Sequence, residues 1–344
     1  MSRQRMSLGQ TVPDPGNPAV TPLRSAEPCS VNRHEYVLVT PARNEEAYIE
    51  KTIEAVLSQT ILPQKWVIVS DGSLDRTDEI VATHADRHPF IHLLRAGAPA
   101  KPGTKDFGSK VRAFRSGYQQ MNDTPHEFVG NLDADITFAP DYFARILDKF
   151  ECSPQLGVGG GIVYEPGPKG FAAQWTSLNS VCGSVQLFRR SCYEAFGGYI
   201  PIRLGGVDAA AEIMARMHGW QVRTYPDVAA YAQRRVLTGS STILQTRYRR
   251  GITNYLLGYH PVFQVASCAF RLAEWPYVAG SLATLLGYAW SWLKGDQQAL
   301  PREVVAYLRS EQTHRLASCL RLPAYGARNR VLNKEVECDR TGVR

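Results

Sequence analysis

The sequence lacks the patterns that mark several common classes of protein. Its seven cysteines are scattered and include no CxxC pair, which argues against a disulfide scaffold or a zinc site and favours a reducing compartment. It has no long tract of lysine and arginine, so the net charge of +7 indicates anionic substrates or an anionic membrane surface, and we expect no nucleic-acid partner. Residues 1–5 are not followed by an apolar core, and we therefore expect no signal peptide.

An alternating pattern begins after a polar leader. Residues 1–33 are rich in Pro, Ser, Thr and Asn with little hydrophobic periodicity, which predicts a disordered leader. From Tyr36 onward, short apolar runs alternate with helical patterns, as in an α/β protein whose mostly parallel, doubly wound sheet is flanked by helices. We place this domain at residues 34–235 and expect a helical, basic C-terminal region at residues 236–344.

Periodicity and turn residues give the bounds of the expected elements. The predicted strands are Tyr36–Thr40, Trp66–Ser70, Ile91–Leu94, Phe128–Leu132, Gly157–Val163, Val181–Phe188 and Gln221–Tyr225. Helices are expected near 49–57, 78–85, 110–120, 140–150 and 208–218, and Pro140 occupies the first position of the fourth helix, where proline is favoured.

Two carboxylates follow the fourth predicted strand. Asp133 and Asp135 are separated by one residue, and on a strand end such residues point the same way, so both acids can face one ligand. A hard divalent cation prefers oxygen ligands of this kind. The pair therefore indicates a metal-assisted enzyme acting on a phosphorylated donor, although a solvated acidic turn is the alternative for this motif alone.

A series of short motifs resembles the family 2 glycosyltransferases over roughly residues 35 to 235. Each motif is weak alone, but their order and spacing are specific. The resemblance implies a GT-A fold (a Rossmann-like sheet flanked by helices), a nucleotide-sugar donor and inversion of the anomeric centre. The motifs are Pro41-Ala42-Arg43-Asn44-Glu45-Glu46, Val69-Ser70-Asp71-Gly72-Ser73-Leu74-Asp75, Gly108-Ser109-Lys110, Asp133-Ala134-Asp135, Gly197-Gly198-Tyr199 and Asp208.

The resemblance implies roles for the residues that bind the donor. Asp133 and Asp135 match the DXD pair, of which the first acid lies near the ribose and the second holds Mg²⁺ or Mn²⁺ against the diphosphate. Lys110 matches a lysine that pairs with a phosphate, whereas an exposed lysine at a helix start is the alternative. The positions that match the family's nucleotide-binding residues are Pro41, Ala42, Glu45 and Asp71.

Two of the nucleotide-binding positions have more than one interpretation. Asp71 can accept a hydrogen bond from N3–H of uracil if the base is uracil, but Ser70 stands where the family often has a further acid. Glu45 is equally suited to the first turn of a helix, where the helix dipole favours an acid. The donor is expected to be a UDP- or GDP-sugar.

Asp208 matches the general base of the family, which removes a proton from the acceptor hydroxyl. Many members carry an acid immediately before this aspartate, and here Val207 replaces it. Glu212, one helical turn further on, shares the face of Asp208 and is the reserve candidate. The alternative for Asp208 is a helix cap.

Residues 233–235, Gln-Arg-Arg, are similar to a glutamine and arginine motif of processive polysaccharide synthases. The tryptophan of that motif and the long multi-helix channel are missing, so we expect transfer of one or a few sugars. Arg234 and Arg235 either contact the diphosphate or form a solvated basic face.

Residues 275–293 contain no charged side chain and carry three tryptophans and two tyrosines, mostly toward the ends. This approaches the length and the aromatic pattern of a membrane-associated segment, either spanning or lying in the interface. Two glycines, a proline and several Ser and Thr residues favour the alternative of a buried or amphipathic helix. We favour membrane contact.

The sequence thus predicts an inverting glycosyltransferase that acts on a glycan or lipid-linked acceptor at the cytoplasmic face of the cell membrane. Exopolysaccharide or lipid-linked glycan synthesis follows from the family alone. Two alternatives remain. A nucleotidyltransferase would carry a basic, glycine-rich loop after its first strand, where this chain is acidic, and a catalytically inactive glycan-binding or scaffold protein would share the fold.

Overall fold

The computed structural model describes residues 35–97, 107–167, 170–174, 177–234 and 242–321, so the predicted leader at 1–33 and Arg235 lie outside the described residues. The strands are β1 Tyr36–Ala42, β2 Lys65–Asp71, β3 Ile91–Ala96, β4 Phe128–Leu132, β5 Ile136–Phe138, β6 Leu156–Gly167, β7 Gly170–Ala173, β8 Val185–Arg189 and β9 Gln221–Ala232. The helices are α1 Ile49–Leu57, α2 Thr77–Ala85, α3 Phe107–Gln119, α4 Tyr142–Glu151, α5 Arg190–Ala195, α6 Val207–Met217, α7 Ile243–Leu256, α8 Pro261–Phe270, α9 Tyr277–Lys294 and α10 Arg302–Arg321.

The strands form one mixed sheet in the order β3-β2-β1-β4-β8-β6-β9-β5, with β7 paired to β6. The first four strands of this order are parallel, and their carboxyl ends therefore meet at one edge. Strand β8 is antiparallel to both of its neighbours, β4 and β6. The α/β prediction is confirmed, but the sheet is mixed, because β8 runs antiparallel between β4 and β6 while β6 and β9 pair in parallel.

Central strands are buried on both faces, which explains their continuous apolar runs. In β1, Tyr36 and Leu38 pack into one hydrophobic cluster with Trp66, whereas Val37 and Val39 pack into a second cluster on the other face. The two layers of helices hold the sheet from both sides, and the parallel strand ends remain available for a site.

Most predicted elements are confirmed with shifted ends, whereas the short strands β5 and β7 were not predicted. Helix α4 begins at Tyr142 with Asp141 as its N-cap, so the expectation that Pro140 opens the helix is wrong. Strand β8 begins at Val185 rather than Val181, because residues 181–184 form a loop that contributes to the site.

The C-terminal helices pack closely through glycine. A Cβ added at Gly251 of α7 would collide with the carbonyl oxygen of Thr284 on α9, and one at Gly287 of α9 would collide with that of Tyr248. Small residues thus let the two backbones approach directly. Helix α10 packs with α6 in a third hydrophobic cluster that includes Ile213 and Leu308.

Helix α9 contains most of the uncharged segment at 275–293. Among the described residues, none of the helices is long and apolar enough to cross a membrane. The buried residues of α9 are small, namely Gly280, Ser281, Thr284, Gly287 and Ser291. Its large apolar side chains point outward, including Leu286, which is 64% exposed, and Trp290, which is 56% exposed.

Candidate active site

The predicted donor-binding residues collect at the carboxyl ends of the parallel strands. Pro41 and Ala42 end β1, Asp71 ends β2, and Asp133 follows β4 directly. Ligands of open α/β sheets bind at this edge. The Ala42 side chain is buried in the core, so only its backbone is available to a ligand.

Side chains tie together the two loops that follow β1 and β2. Thr77 Oγ1 accepts a hydrogen bond from the Glu45 backbone N–H over 2.7 Å, and Asn44 Oδ1 accepts one from Leu74 N–H over 2.8 Å. Arg43 Nη1 lies 3.9 Å from Asp71 Oδ2. These contacts hold the two loops against each other. Asp71 lies beside Arg43, and the backbone of Glu45 contacts the Thr77 hydroxyl.

A cleft of about 330 Å³ contains Lys110, Asp133 and Asp208 in its lining. Lys110 Nζ donates to Asp133 Oδ1 over 2.5 Å, and the Asp133 backbone N–H donates to the Ser184 carbonyl over 2.8 Å. Burial acts to lower the pKa of Lys110, but the negative charges of Asp133 and Asp208 raise it overall, so the lysine is cationic. The cleft thus combines a fixed positive charge with two carboxylates.

Glycines allow the close placement of Asp208 in this cleft. Gly205 and Gly206 both have positive φ, at 97° and 87°, and lead into α6, whose first turn contains Asp208. A Cβ added at Gly183 would lie 2.8 Å from Asp208 Oδ2. The carboxylate therefore lies directly against the backbone of the loop before β8.

Asp135 and Asp133 form ion pairs with different residues. The two acids lie in the turn between β4 and β5, so the strand-end argument for their orientation does not apply. The buried Asp135 accepts from Arg234 Nε over 2.7 Å, and the same guanidinium contacts Glu45 Oε1 through Nη2 over 2.5 Å. Arg234 thus joins the loop after β1 to the acid pair.

Burial shifts the ionisation of both carboxylates held by Arg234. Desolvation raises the pKa of Glu45 to about 7, against the opposing effect of Arg234, and also raises the pKa of Asp135, to which the charge of Asp133 adds. Glu45 Oε2 is buried and has no hydrogen-bond partner among the residues that the structure describes. The site therefore contains more acceptor capacity than the protein itself satisfies.

Glu212, the reserve candidate for a base, has a different environment from Asp208. It is buried behind the cleft, where it accepts from the Val181 backbone N–H over 2.6 Å and from Gln186 Nε2 over 3.3 Å. Burial, and then the charge of Asp208, raise the pKa of Glu212 to about 8. Its contacts are those of a residue that holds the loop at 181–184 in place.

We expect Glu212→Gln to make the stability of the protein less sensitive to a rise in pH from about 5 to 8. The folded state retains the Glu212 proton up to a pKa of about 8, whereas the ordinary pKa of glutamate is 4.5, so wild-type stability falls as pH rises through this window. The slope is at most about 1.4 kcal/mol per pH unit. The introduced amide can still accept from the Val181 backbone, and thermal unfolding at pH 5 to 8 should show a flatter profile for the variant. Parallel profiles for wild type and variant would contradict this, and the exposed Glu54→Gln is the matched control.

Residues 37–204, slightly under half of the chain, match the family model for glycosyl transferase family 2, and this segment is identified with that family of enzymes. The match includes the acid pair and the loops after β1 and β2. The resemblance inferred from the motifs is therefore confirmed.

Curated relatives are named for the synthesis of glycolipids and polysaccharides. The chain is 26% identical over 233 residues to a beta-monoglucosyldiacylglycerol synthase of Synechocystis sp., a match that covers 66% of this chain and 44% of that protein. It is 28% identical over 119 residues to a poly-beta-1,6-N-acetyl-D-glucosamine synthase of Staphylococcus epidermidis, covering 34% of this chain and 26% of that protein. The chain spans less than half the length of these relatives.

Solved structures share the fold at low sequence identity. A TarS structure from S. aureus, residues 1–349 in complex with UDP-GlcNAc, has a TM-score of 0.53 at 16% identity, covering 80% of this chain and 84% of that one. The mannosyltransferase PcManGT from Pyrobaculum calidifontis, in complex with GDP-Man and Mn²⁺, has a TM-score of 0.50 at 17% identity, covering 84% and 87%. The predicted GT-A fold is confirmed by these likenesses.

Proposed function

We propose that this protein is an inverting glycosyltransferase that moves a sugar from a nucleotide-sugar to a hydroxyl group of an acceptor. The observation that carries the proposal is the cleft in which Asp208 lies near the Lys110–Asp133 ion pair. Direct displacement needs a base at the attacking hydroxyl and positive charge at the leaving diphosphate. Asp208 provides the base, and Lys110 provides charge for the diphosphate.

The donor site extends from this cleft along the strand ends. The loop from Pro41 to Glu45 and Asp71 hold the nucleoside, and Asp133 lies toward the ribose. Two structural neighbours are described with GDP-Man and with UDP-GlcNAc, which supports a UDP- or GDP-sugar as the donor. The acid pair and Lys110 then lie at the diphosphate.

The acid pair fits a divalent cation, Mg²⁺ or Mn²⁺. Across the described ranges, no group of three or more His, Cys, Asp or Glu side chains could hold an ion alone, but these ions are commonly bound by one or two carboxylates and substrate phosphates. Asp135 would hold the ion with Asp133, and Glu45 Oε2, which has no hydrogen-bond partner among the described residues, is a further oxygen on the carboxylate that shares Arg234 with Asp135. A bound cation stabilises the charge that develops on the leaving diphosphate.

The proposed steps follow from the placement of the protein's own groups. The Asp208 carboxylate accepts the proton of the acceptor hydroxyl as that oxygen attacks the anomeric carbon. The loop at 181–184, held by Glu212, fixes Asp208 on one side through Gly183. Lys110 stays protonated because Asp133 and Asp208 are close, so it can pair with the diphosphate throughout.

The proposal is tested by product stereochemistry. The protein is incubated with α-linked UDP- and GDP-sugars and with diacylglycerol or oligosaccharide acceptors, which are chosen from the names of the relatives. The one-bond carbon–hydrogen coupling at the anomeric carbon, which differs between the α and β anomers of gluco- and manno-configured sugars alike, should identify a β-linked product. An α-linked product would rule out inversion, and nucleotide binding without transfer to any acceptor would favour the inactive scaffold.

We also propose that the outer face of α8 and α9 binds a membrane surface. Large apolar side chains are exposed there, whereas the inward face of α9 is built from small residues. Val278, Leu282, Leu286 and Trp290 recur every four residues and form one stripe along the helix. The exposed Lys294 at the end of α9 adds positive charge, as is typical of helices that lie in the lipid interface.

We expect the double variant Leu286→Glu with Trp290→Glu to lose membrane binding. Burying each side chain in lipid contributes about 1.5–3 kcal/mol, so the partition coefficient should fall at least tenfold. Co-sedimentation with vesicles of phosphatidylglycerol and phosphatidylcholine measures it. The exposed Leu62→Glu is the matched control and should bind like wild type. Equal binding by all three proteins, or no binding by wild type, would refute the membrane face.

A further inference from the structure

Both acids that follow β4 form ion pairs with cations of the protein itself. Lys110 Nζ contacts Asp133 Oδ1, and Arg234 Nε lies 2.7 Å from Asp135 Oδ2. Through Nη2, Arg234 also lies 2.5 Å from Glu45 Oε1, so one guanidinium neutralises two carboxylates. The acid proposed to hold a divalent cation therefore already has an arginine as its partner.

The backbone of strand β9 places Arg234 beside Asp135. Ala232 pairs with Ile136 of β5, and the Gln233 backbone N–H donates to the Asp135 carbonyl over 2.8 Å. The side chain of Arg234, the next residue, is 45% exposed, whereas that of Asp135 is 9% exposed. The guanidinium can therefore leave the carboxylate by rotation about its side-chain bonds, while the two strands stay paired.

A divalent cation and the Arg234 guanidinium compete for Asp135. Both bind the oxygens of this one carboxylate, and two positive charges so close together repel each other strongly where water is largely excluded. The guanidinium is also held by the ring of Tyr48, whose centroid lies 5.4 Å from Cζ. When only a fraction of a protein is competent to bind, its apparent affinity falls by that fraction. Arg234 thus weakens the binding of a cation that arrives alone.

A diphosphate changes this balance. Mg²⁺ is bound by one or two carboxylates together with substrate phosphates, and Mn²⁺ takes the same kind of oxygen ligand. Within the described ranges, no group of three or more His, Cys, Asp or Glu side chains could replace those phosphates as ligands. The phosphates also add negative charge, so a cation and an arginine can then be held at the site together.

We propose that Arg234 is an internal counter-ion that competes with a divalent cation for Asp135, so that the cation binds tightly only together with a diphosphate. Arg234 thereby sets the order of binding, because the free protein keeps Asp135 neutralised until the nucleotide arrives. This inference rests on the cation site of the proposed function, but cation binding is measured without any transfer of sugar.

The test is titration of the full chain with Mn²⁺ in the absence of nucleotide, followed by the electron paramagnetic resonance signal of the free ion. Arg234→Gln removes the charge and should bind Mn²⁺ about tenfold more tightly than wild type or better. Asp135→Asn added to Arg234→Gln should abolish this gain. The matched control is Arg95→Gln, which removes an exposed arginine paired with Asp78 and should bind like wild type.

Arg234→Lys gives a second variant that keeps the positive charge and so favours folding. Lysine is a point charge without the planar fork of arginine, so it does not pair with Asp135 and Glu45 in the same way. Its affinity for Mn²⁺ should lie between those of wild type and Arg234→Gln. Thermal unfolding of each variant shows that the titrated protein is folded.

Equal affinity for Mn²⁺ in wild type and the two folded Arg234 variants would overturn the proposal. A gain that survives Asp135→Asn would also overturn it, since the ion would then bind elsewhere, and an equal gain in Arg95→Gln would show a general effect of net charge. Wild type that binds Mn²⁺ as tightly without a nucleotide as with one would contradict the proposed order of binding.

A parallel titration of wild type with UDP and GDP, with and without Mn²⁺, separates this proposal from the donor site. Nucleotide binding in Mn²⁺ combined with no gain in Arg234→Gln would overturn the counter-ion and leave the donor site intact. A gain in Arg234→Gln combined with no nucleotide binding would support competition at Asp135 and refute the donor site.

Discussion

Asp208→Asn is expected to reduce sugar transfer by about a hundredfold to ten-thousandfold, the usual contribution of a general base. Asparagine keeps the shape of the side chain against Gly183 but cannot take the proton of the acceptor hydroxyl. The affinity for the nucleotide should change little, since the proposed role lies on the acceptor side. Initial rates of nucleoside diphosphate release at saturating donor measure the effect.

The control for Asp208→Asn is Asp86→Asn, which removes an exposed carboxylate at the end of α2. It should transfer sugar at the wild-type rate. If Asp208→Asn retained a rate within a few-fold of wild type while folded, the assignment of Asp208 as base would be wrong. Glu212→Gln would then be the next variant to measure, as the buried acid nearest in sequence on α6.

Asp135→Asn is expected to weaken metal-dependent nucleotide binding by about a hundredfold, which corresponds to roughly 2.7 kcal/mol. The variant removes a charged oxygen from the pair proposed to hold the divalent cation. Arg234 keeps its ion pair with Glu45, so the loop after β1 should remain in place. Calorimetric titration with the nucleoside diphosphate, with and without Mn²⁺, measures the loss.

The matched control for Asp135→Asn is Asp148→Asn on the exposed side of α4. Its titration should reproduce that of wild type in both conditions. Should Asp135→Asn bind the nucleotide in Mn²⁺ as tightly as wild type, Asp135 would be a purely structural partner of Arg234. The cation would then need other ligands.

Much of the sheet could be predicted because its central strands are buried on both faces. Strand β4 has the predicted bounds, since a continuous apolar run ends where Asp133 begins. The carboxyl ends of parallel strands meet at one edge of the sheet, so the sequence alone could predict that Asp71 and Asp133 lie at that edge. The mixed pairing of β8 was not predictable, because an isolated apolar run does not specify the direction of its neighbour.

The contacts between distant segments were missed for a related reason. Arg234 pairs with Glu45 across 189 positions of sequence, and the glutamine and arginine motif was the only local sign that Arg234 matters. The environment of Glu212 was also hidden, because sharing a helix face with Asp208 does not reveal which loop covers it. Only the fold shows that this acid contacts the Val181 backbone.

The sequence contains a pattern that indicates which side of α9 faces the protein. Gly280, Thr284, Gly287 and Ser291 recur at three- and four-residue spacing, which marks a face that packs closely on another helix. The absence of charged residues from the segment at 275–293 had favoured the interpretation that it contacts a membrane. The small residues face the protein and the large ones face outward.

The most direct test of the account is titration of wild-type protein with UDP, GDP, CDP and dTDP, each with and without Mn²⁺. The account predicts that UDP or GDP binds, and that binding is much tighter when Mn²⁺ is present. Binding of none of the four to folded protein would contradict the donor site. The protein would then have the fold of a glycosyltransferase but would not bind the donor that the reaction needs.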